Sequence, residues 1–256
     1  MLLRSITEHV RAQNWTAIVL DFVIVVVGVF IGIQVSNWNE SLAFEKREQM
    51  LLRGLHDEVA QNLADAQSKG DAFMVGADSA RRVLSAINQA QAPCTDNCWD
   101  LVVDLMHASQ WQQLISSWTT YEELRREGLP SDRGIIELVE KYRAYSHQVA
   151  LVLSVQPRYR TLARGLIPID AQDAYWDKCY SLVDAVEVYH YPCPPPDDIV
   201  IDPVKIQHIL EDPEIARSLR EWTSIALVVA ETLSGPQQEL GNNILSHIGG
   251  NGERDE

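Results

Sequence analysis

The chain predicts an all-α fold, with one N-terminal transmembrane helix continuing into a soluble helical-bundle domain. Three observations carry that prediction. Residues 14–40, NWTAIVLDFVIVVVGVFIGIQVSNWNE, are almost entirely apolar between Trp15 and Trp38. Downstream, apolar residues recur at spacings of three, four and seven, the period of a helix with one buried face. No stretch shows convincing period-two alternation, and there is no internal repeat.

The anchor comes first. At about 1.5 Å per helical residue the two tryptophans stand about 34 Å apart, matching a hydrocarbon core of about 30 Å plus its interfaces. Their amphipathic rings suit the two headgroup levels, so Trp15 and Trp38 are the expected interface anchors. The apolar run exceeds a signal-peptide core, and residues 34–40 do not form a small-residue cleavage site; an uncleaved signal anchor follows. Inside it, Gly28 and Gly32 make a small-xxx-small face that permits close helix approach, although glycine is also simply frequent in such helices. Asp21, about 9 Å past Trp15, either faces a partner or snorkels to the interface. Gln34 either bonds across a helix pair or reaches the far interface. Both readings stay open for each.

Composition bounds the rest. The chain has 256 residues, 46% apolar, and net charge −15. Residues 1–40 hold two basic and three acidic side chains, which leaves 19 basic against 33 acidic beyond them. Such a field suits solubility and disfavours nucleic acid as a partner. The expected organisation is a cytoplasmic amphipathic segment at 1–13, the anchor at 14–40, a helical soluble domain at 41–248, and a disordered acidic tail at 249–256.

Positive charges are nearly balanced across the anchor, Arg4 and Arg11 against Lys46, Arg47 and Arg53, so they do not fix its orientation. The cysteines break the tie. Cys94 and Cys98 lie four apart and Cys179 and Cys193 fourteen apart, an even set in two local pairs that suits an oxidising compartment. Local disulfides are preferred over a zinc site built from these four, or with His190, because the second pair lacks a CxxC knuckle. The N-terminus is therefore placed in the cytoplasm and the domain in the periplasm.

In order, Phe44, Leu51, Leu52, Leu55, Val59 and Leu63 predict a helix continuous with the anchor, a rigid link between membrane and domain, ending at Gly70–Asp71. A second helix is expected over 73–90 and a short one over 99–107. Trp111, Leu114, Trp118, Tyr121 and Leu124 predict a helix over 111–126, with Trp111 and Trp118 on one face as core. Ser131–Asp132 caps a helix reaching residue 156, before Pro157. Residues 164–203 are expected to be irregular, with YHYPCPPPDD extended on the surface. Asp212–Pro213–Glu214 opens the last long helix, and 237–248 finishes helical.

The anchor's Asp21, its aliphatic run, Gly28, Gln34 and the terminal Asn37–Trp38–Asn39–Glu40 resemble a bacterial envelope family known as domain of unknown function 6090. LLRGLHDEVAQNL, TTYEELRREGL with YRAY, and the DPEI helix start extend the similarity over most of the chain, while the cysteine pairs and the proline-rich loop depart from it. The resemblance implies a one-pass anchor with a helical outer domain and no assigned activity, and it adds weight to Asp21 and Gln34.

Catalytic signatures are missing from the sequence: there is no phosphate-cradling glycine loop, GxSxG, HExxH or EF-hand loop. Seven histidines are scattered singly. The one cluster that invites a metal-binding assay is His190 with Tyr189, Tyr191 and Cys193. The expectation is a non-enzymatic interaction protein with no cofactor, no catalytic residues and no metal, whose partners are the lipid bilayer and other membrane subunits or itself. The rivals are a periplasmic ligand-binding module, with an apolar pocket near Tyr175, Trp176 and the Tyr189–Tyr191 loop, and an envelope hydrolase or metal enzyme.

Overall fold

The computed structural model describes residues 15–89, 94, 97–183, 186–197 and 199–252. Its helices are α1 (Trp15–Ile87), α2 (Trp99–Ala108), α3 (Thr119–Arg126), α4 (Arg133–Val152), α5 (Arg158–Leu166), α6 (Ile169–Lys178), α7 (Pro203–Glu211), α8 (Pro213–Ser234) and α9 (Pro236–Gly252). Two short strands, β1 (Tyr180–Val183) and β2 (Val186–Tyr189), complete the described elements. The fold class is all-α, as the periodicity predicts. The chain divides into two units after Leu52. The expected segment at 1–13 and tail residues 253–256 lie outside the described residues.

The first unit contains the apolar stretch of α1, the one helix among the described residues long and apolar enough to cross a membrane. Its side chains, from Trp15 through Phe22, Val26 and Phe30 to Trp38, are exposed all round. A helix apolar on every face, with its backbone bonds satisfied internally, suits lipid rather than water.

In the second unit α1 presents a buried stripe of Leu55, Val59, Leu63, Ala66, Phe73, Ala77, Ala80 and Val83. The helix does not end at Gly70–Asp71 as its sequence suggests. A Cβ on Gly70 would stand 2.6 Å from the Ser234 hydroxyl and 3.3 Å from Leu233 Cβ, so this glycine admits α8 against α1 rather than breaking the helix. Around this stripe α2 is nearly engulfed, with Trp99, Val102, Leu105 and Met106 fully buried. Both core indoles are satisfied, Trp99 Nε1 donating to the Cys193 carbonyl at 2.9 Å and Trp222 Nε1 to the Ala108 carbonyl at 3.0 Å.

Three further departures follow, the first with a clear physical cause. Residues 111–118 are not helical, because the Asn62 amide clasps the Ser117 backbone from both sides, at 2.8 and 3.0 Å. Glu58 then accepts the Thr120 and Tyr121 N–H groups and opens α3 there instead. Trp111 and Trp118 therefore share no helix face; Trp118 stacks edge-on to Tyr142. Within the region expected to be irregular lie the end of α5, all of α6 and an antiparallel hairpin pairing Tyr180 with Tyr189. Helix α9 runs to Gly252, past the expected end at Ile248. The caps hold as read: Asp132 and Asp212 accept the N–H groups of Gly134 and Glu214.

Candidate functional site

The anchor residues lie along one helix. Gly28 and Gly32, one turn apart, have no atom within 4 Å of where a Cβ would be. Asp21 is half-exposed, and Gln34, Trp15 and Trp38 are exposed. Among the described residues this surface combines apolar flanks, a smooth glycine face and two polar groups, and it is mostly exposed.

In the second unit the cysteines stand as two local pairs at disulfide distance, Cys94 with Cys98 and Cys179 with Cys193, their Cα atoms 5.4 and 5.5 Å apart. The second pair closes the base of the hairpin, where His190 N–H also donates to the Cys179 carbonyl. Closing that base brings together what the sequence scatters. Tyr175, Trp176, Tyr180 and Tyr189 form a chain of ring contacts at 5.2, 5.0 and 6.2 Å. His107, at the end of α2, packs among Tyr175, Tyr189 and Tyr191 at 5.4, 5.6 and 6.3 Å.

Polar groups converge on the same place. Helix α5, RYRTLARGL, sets Arg160 and Arg164 one turn apart. Arg160 Nη1 donates to the Ser109 carbonyl at 3.1 Å, and Arg164 Nε to the Ser109 hydroxyl at 2.9 Å. Arg164 Nη2 reaches Gln110 Oε1 at 2.9 Å, and Gln110 Nε2 donates to the Tyr175 hydroxyl at 3.0 Å. The Arg164 guanidinium lies 5.0 Å from the centre of the Trp176 ring. Opposite, Gln112 Nε2 donates to the Tyr189 hydroxyl, which donates to the Glu187 carboxylate. Part of this order is helix capping, since two cations sit where α2 leaves its last carbonyls exposed.

Burial sets the protonation states. It lowers His107 from its usual value to about 4, with the charges of Arg82 and His190 acting in the same direction. The Cys179 carbonyl is near enough to favour the protonated ring, yet neither ring nitrogen completes a hydrogen bond of normal geometry. His107 is thus a buried imidazole that stays neutral at neutral pH. Burial also lowers Arg160, and it lowers Arg164 to about 10, helped by the charge of Arg160. Burial, then the Glu187 charge, raises the Tyr189 phenol, and burial raises Tyr175. The cluster holds cations, protonated phenols, amides and the Glu187 carboxylate, groups able to bind a polar ligand.

Where an apolar pocket was expected, the described residues enclose a small space. The cavity touching Tyr189, Gln110 and Gln112 measures about 10 Å³, at the limit for a single water. A groove of about 370 Å³ opens instead between α4 and α8, lined by Tyr145, Val149, Val152, Ile225 and Val228. His190 sits apart at the surface, its Nε2 3.0 Å from the Ser181 hydroxyl. Among the described residues no three His, Cys, Asp or Glu side chains are grouped to hold a metal.

No family model matches this chain, and neither does any curated protein or solved structure.

His107, Arg160, Arg164 and Glu187 were missed from the sequence. Only α5 carried a signal: three arginines in nine residues without an acid, in a chain rich in acids.

Proposed function

We propose that this is a membrane-anchored, non-enzymatic interaction protein, an accessory or self-associating subunit of a bacterial inner-membrane complex. Its N-terminus lies in the cytoplasm and its helical domain in the periplasm. The observation that carries the reading is the anchor surface, apolar and exposed all round from Trp15 to Trp38 with an open Gly28/Gly32 face. Close-packing glycines beside an intramembrane acid and amide suit a helix that docks on another helix. The two cysteine pairs support an oxidising compartment. The likeness of GIQVSNWNE to the envelope family named above supports a one-pass anchor.

The test is the subunit composition of the tagged protein purified from its native membrane in mild detergent. Stoichiometric foreign subunits, or a defined multiple of its own mass, are expected; replacing both Gly28 and Gly32 with leucine should dissociate them. A monomer, or assembly unchanged by the double replacement, would sink the reading. Topology is checked separately: after reduction, an impermeant thiol reagent should label Cys94 or Cys193 in intact spheroplasts.

A second reading, a tethered periplasmic ligand-binding module, is favoured by the convergence of Arg160, Arg164, Gln110 and three tyrosines in one cluster.

A further inference from the structure

Half-buried cations of the helical domain are neutralised as a rule. Arg82 is held by Asp104, Arg143 lies beside Glu122 and Glu140, and Lys69 meets Asp65 at 2.6 Å. Arg160 and Arg164 break the rule. Both are half-buried and one turn apart, yet among the described residues no carboxylate pairs with either. Acids are not scarce, since the chain carries 36 against 21 basic residues. All the groups that hydrogen-bond the pair are formally neutral: the Ser109 carbonyl and hydroxyl and the Gln110 amide oxygen. Arg160 uses one N–H and Arg164 two, so most of each donor fork is unused.

Two adjacent like charges partly withdrawn from water, with no carboxylate in contact and only the charge of Glu187 within reach, are costly unless an anion joins them. Paired forks match the geometry of carboxylate and phosphate oxygens. The surroundings add an aromatic face, Trp176. The phenols of Tyr175, Tyr180 and Tyr189 lie within electrostatic reach. Glu187 stands within the same reach, where its charge opposes a bulky polyanion and favours a small one with a hydrogen-bond donor.

We propose that Arg160 and Arg164 form a binding site for a small oxyanion-bearing molecule, a carboxylate or a phosphate ester, gripped by the unused edges of the two guanidiniums. This rests on the ligand-binding reading and gives it a ligand class. Its failure would leave the anchor's assembly untouched, because that is read from subunit composition.

The test uses the full chain in detergent, titrated with sodium phosphate and with sodium succinate against sodium chloride at matched ionic strength. The expected result is a saturable rise in melting temperature, about 4 °C at ten times the dissociation constant. Arg160→Gln and Arg164→Gln should each weaken that anion about tenfold or more. Arg217→Gln, altering an exposed residue paired with Glu214 on α8, should leave it unchanged. A response to phosphate supports the site and points to a phosphate ester, and one to succinate supports it and points to a carboxylate. No saturable response beyond that of chloride overturns the proposal, as does an equal response in both glutamine variants. Should either variant fail to fold, calorimetric titration of the unaltered chain decides: saturable heat with one of the two anions upholds the site, and its absence with both rejects it.

Discussion

Arg82 and the Arg160/Arg164 pair are the same side chain, each partly withdrawn from water and the pair more deeply so, handled in opposite ways. Arg82 meets Asp104 through two nitrogens, at 2.7 to 3.0 Å, and also donates to the Ser79 hydroxyl. That hydrogen bonding outweighs burial and raises the guanidinium above its ordinary value. Among the described residues Arg160 and Arg164 hydrogen-bond only to an amide, a hydroxyl and a carbonyl, and burial wins, lowering both. The first site is closed upon itself and holds α1 to α2. The second has cationic capacity left over. The difference separates a structural ion pair from a site poised to bind, although both are arginines in one small domain.

The contrast can be broken by measurement. At neutral pH the largest effect is expected at Arg82→Ala. It strands the Asp104 carboxylate, whose side chain is only 6% exposed, and should cost about 3 kcal/mol, the lower end for a broken buried pair because Arg82 itself is partly wet. The melting temperature should fall by about 9 °C; a fall of under 2 °C would mean that Asp104 finds water or another donor.

Next is pH. His107 binds a proton below about 4 when folded and below its usual value of 6.5 when unfolded. Between those values the unfolded chain takes up the extra proton. Stability from this residue is therefore intact above pH 6.5 and lost on acidification toward pH 4, by about 1.4 kcal/mol per pH unit. His107→Leu should flatten the profile in that window, and an unaltered slope would place the titration elsewhere.

The smallest effect is expected at Arg160→Gln in anion-free buffer. It loses one hydrogen bond to the Ser109 carbonyl but relieves repulsion with Arg164, so stability should change by less than about 1 kcal/mol. A loss as large as that at Arg82 would make the pair a structural fastener like the first and erase the distinction.

How much of this was legible depended on how far away each residue's partner lay. The long apolar helix was legible because a nearly unbroken apolar run between two tryptophans needs no tertiary partner to be recognised. The caps at Asp132 and Asp212 were legible because their acceptors serve N–H groups two residues on. The candidate site was mostly hidden. Tyr175, Trp176, Tyr189 and Tyr191 were singled out as aromatics, but Arg160 and Arg164 find Ser109 and Gln110 more than fifty positions earlier, and His107 had no local signal at all.

The sequence by itself determined the all-α class, the membrane-length apolar helix, the helical faces and the acidic balance, because these follow from composition and from periods within a few turns. Tertiary structure decided where helices continue, stop or give way. Gly70 is a contact rather than a breaker because α8 lies against it, and residues 111–118 are not helical because Asn62 takes the Ser117 backbone bonds a helix would use. The hairpin forms where its closing contacts lie outside the strands themselves, at Cys179 and Cys193. In each case a partner distant in sequence supplied the hydrogen bond or the packing that outweighed local preference, and that partner is known only once the chain has folded.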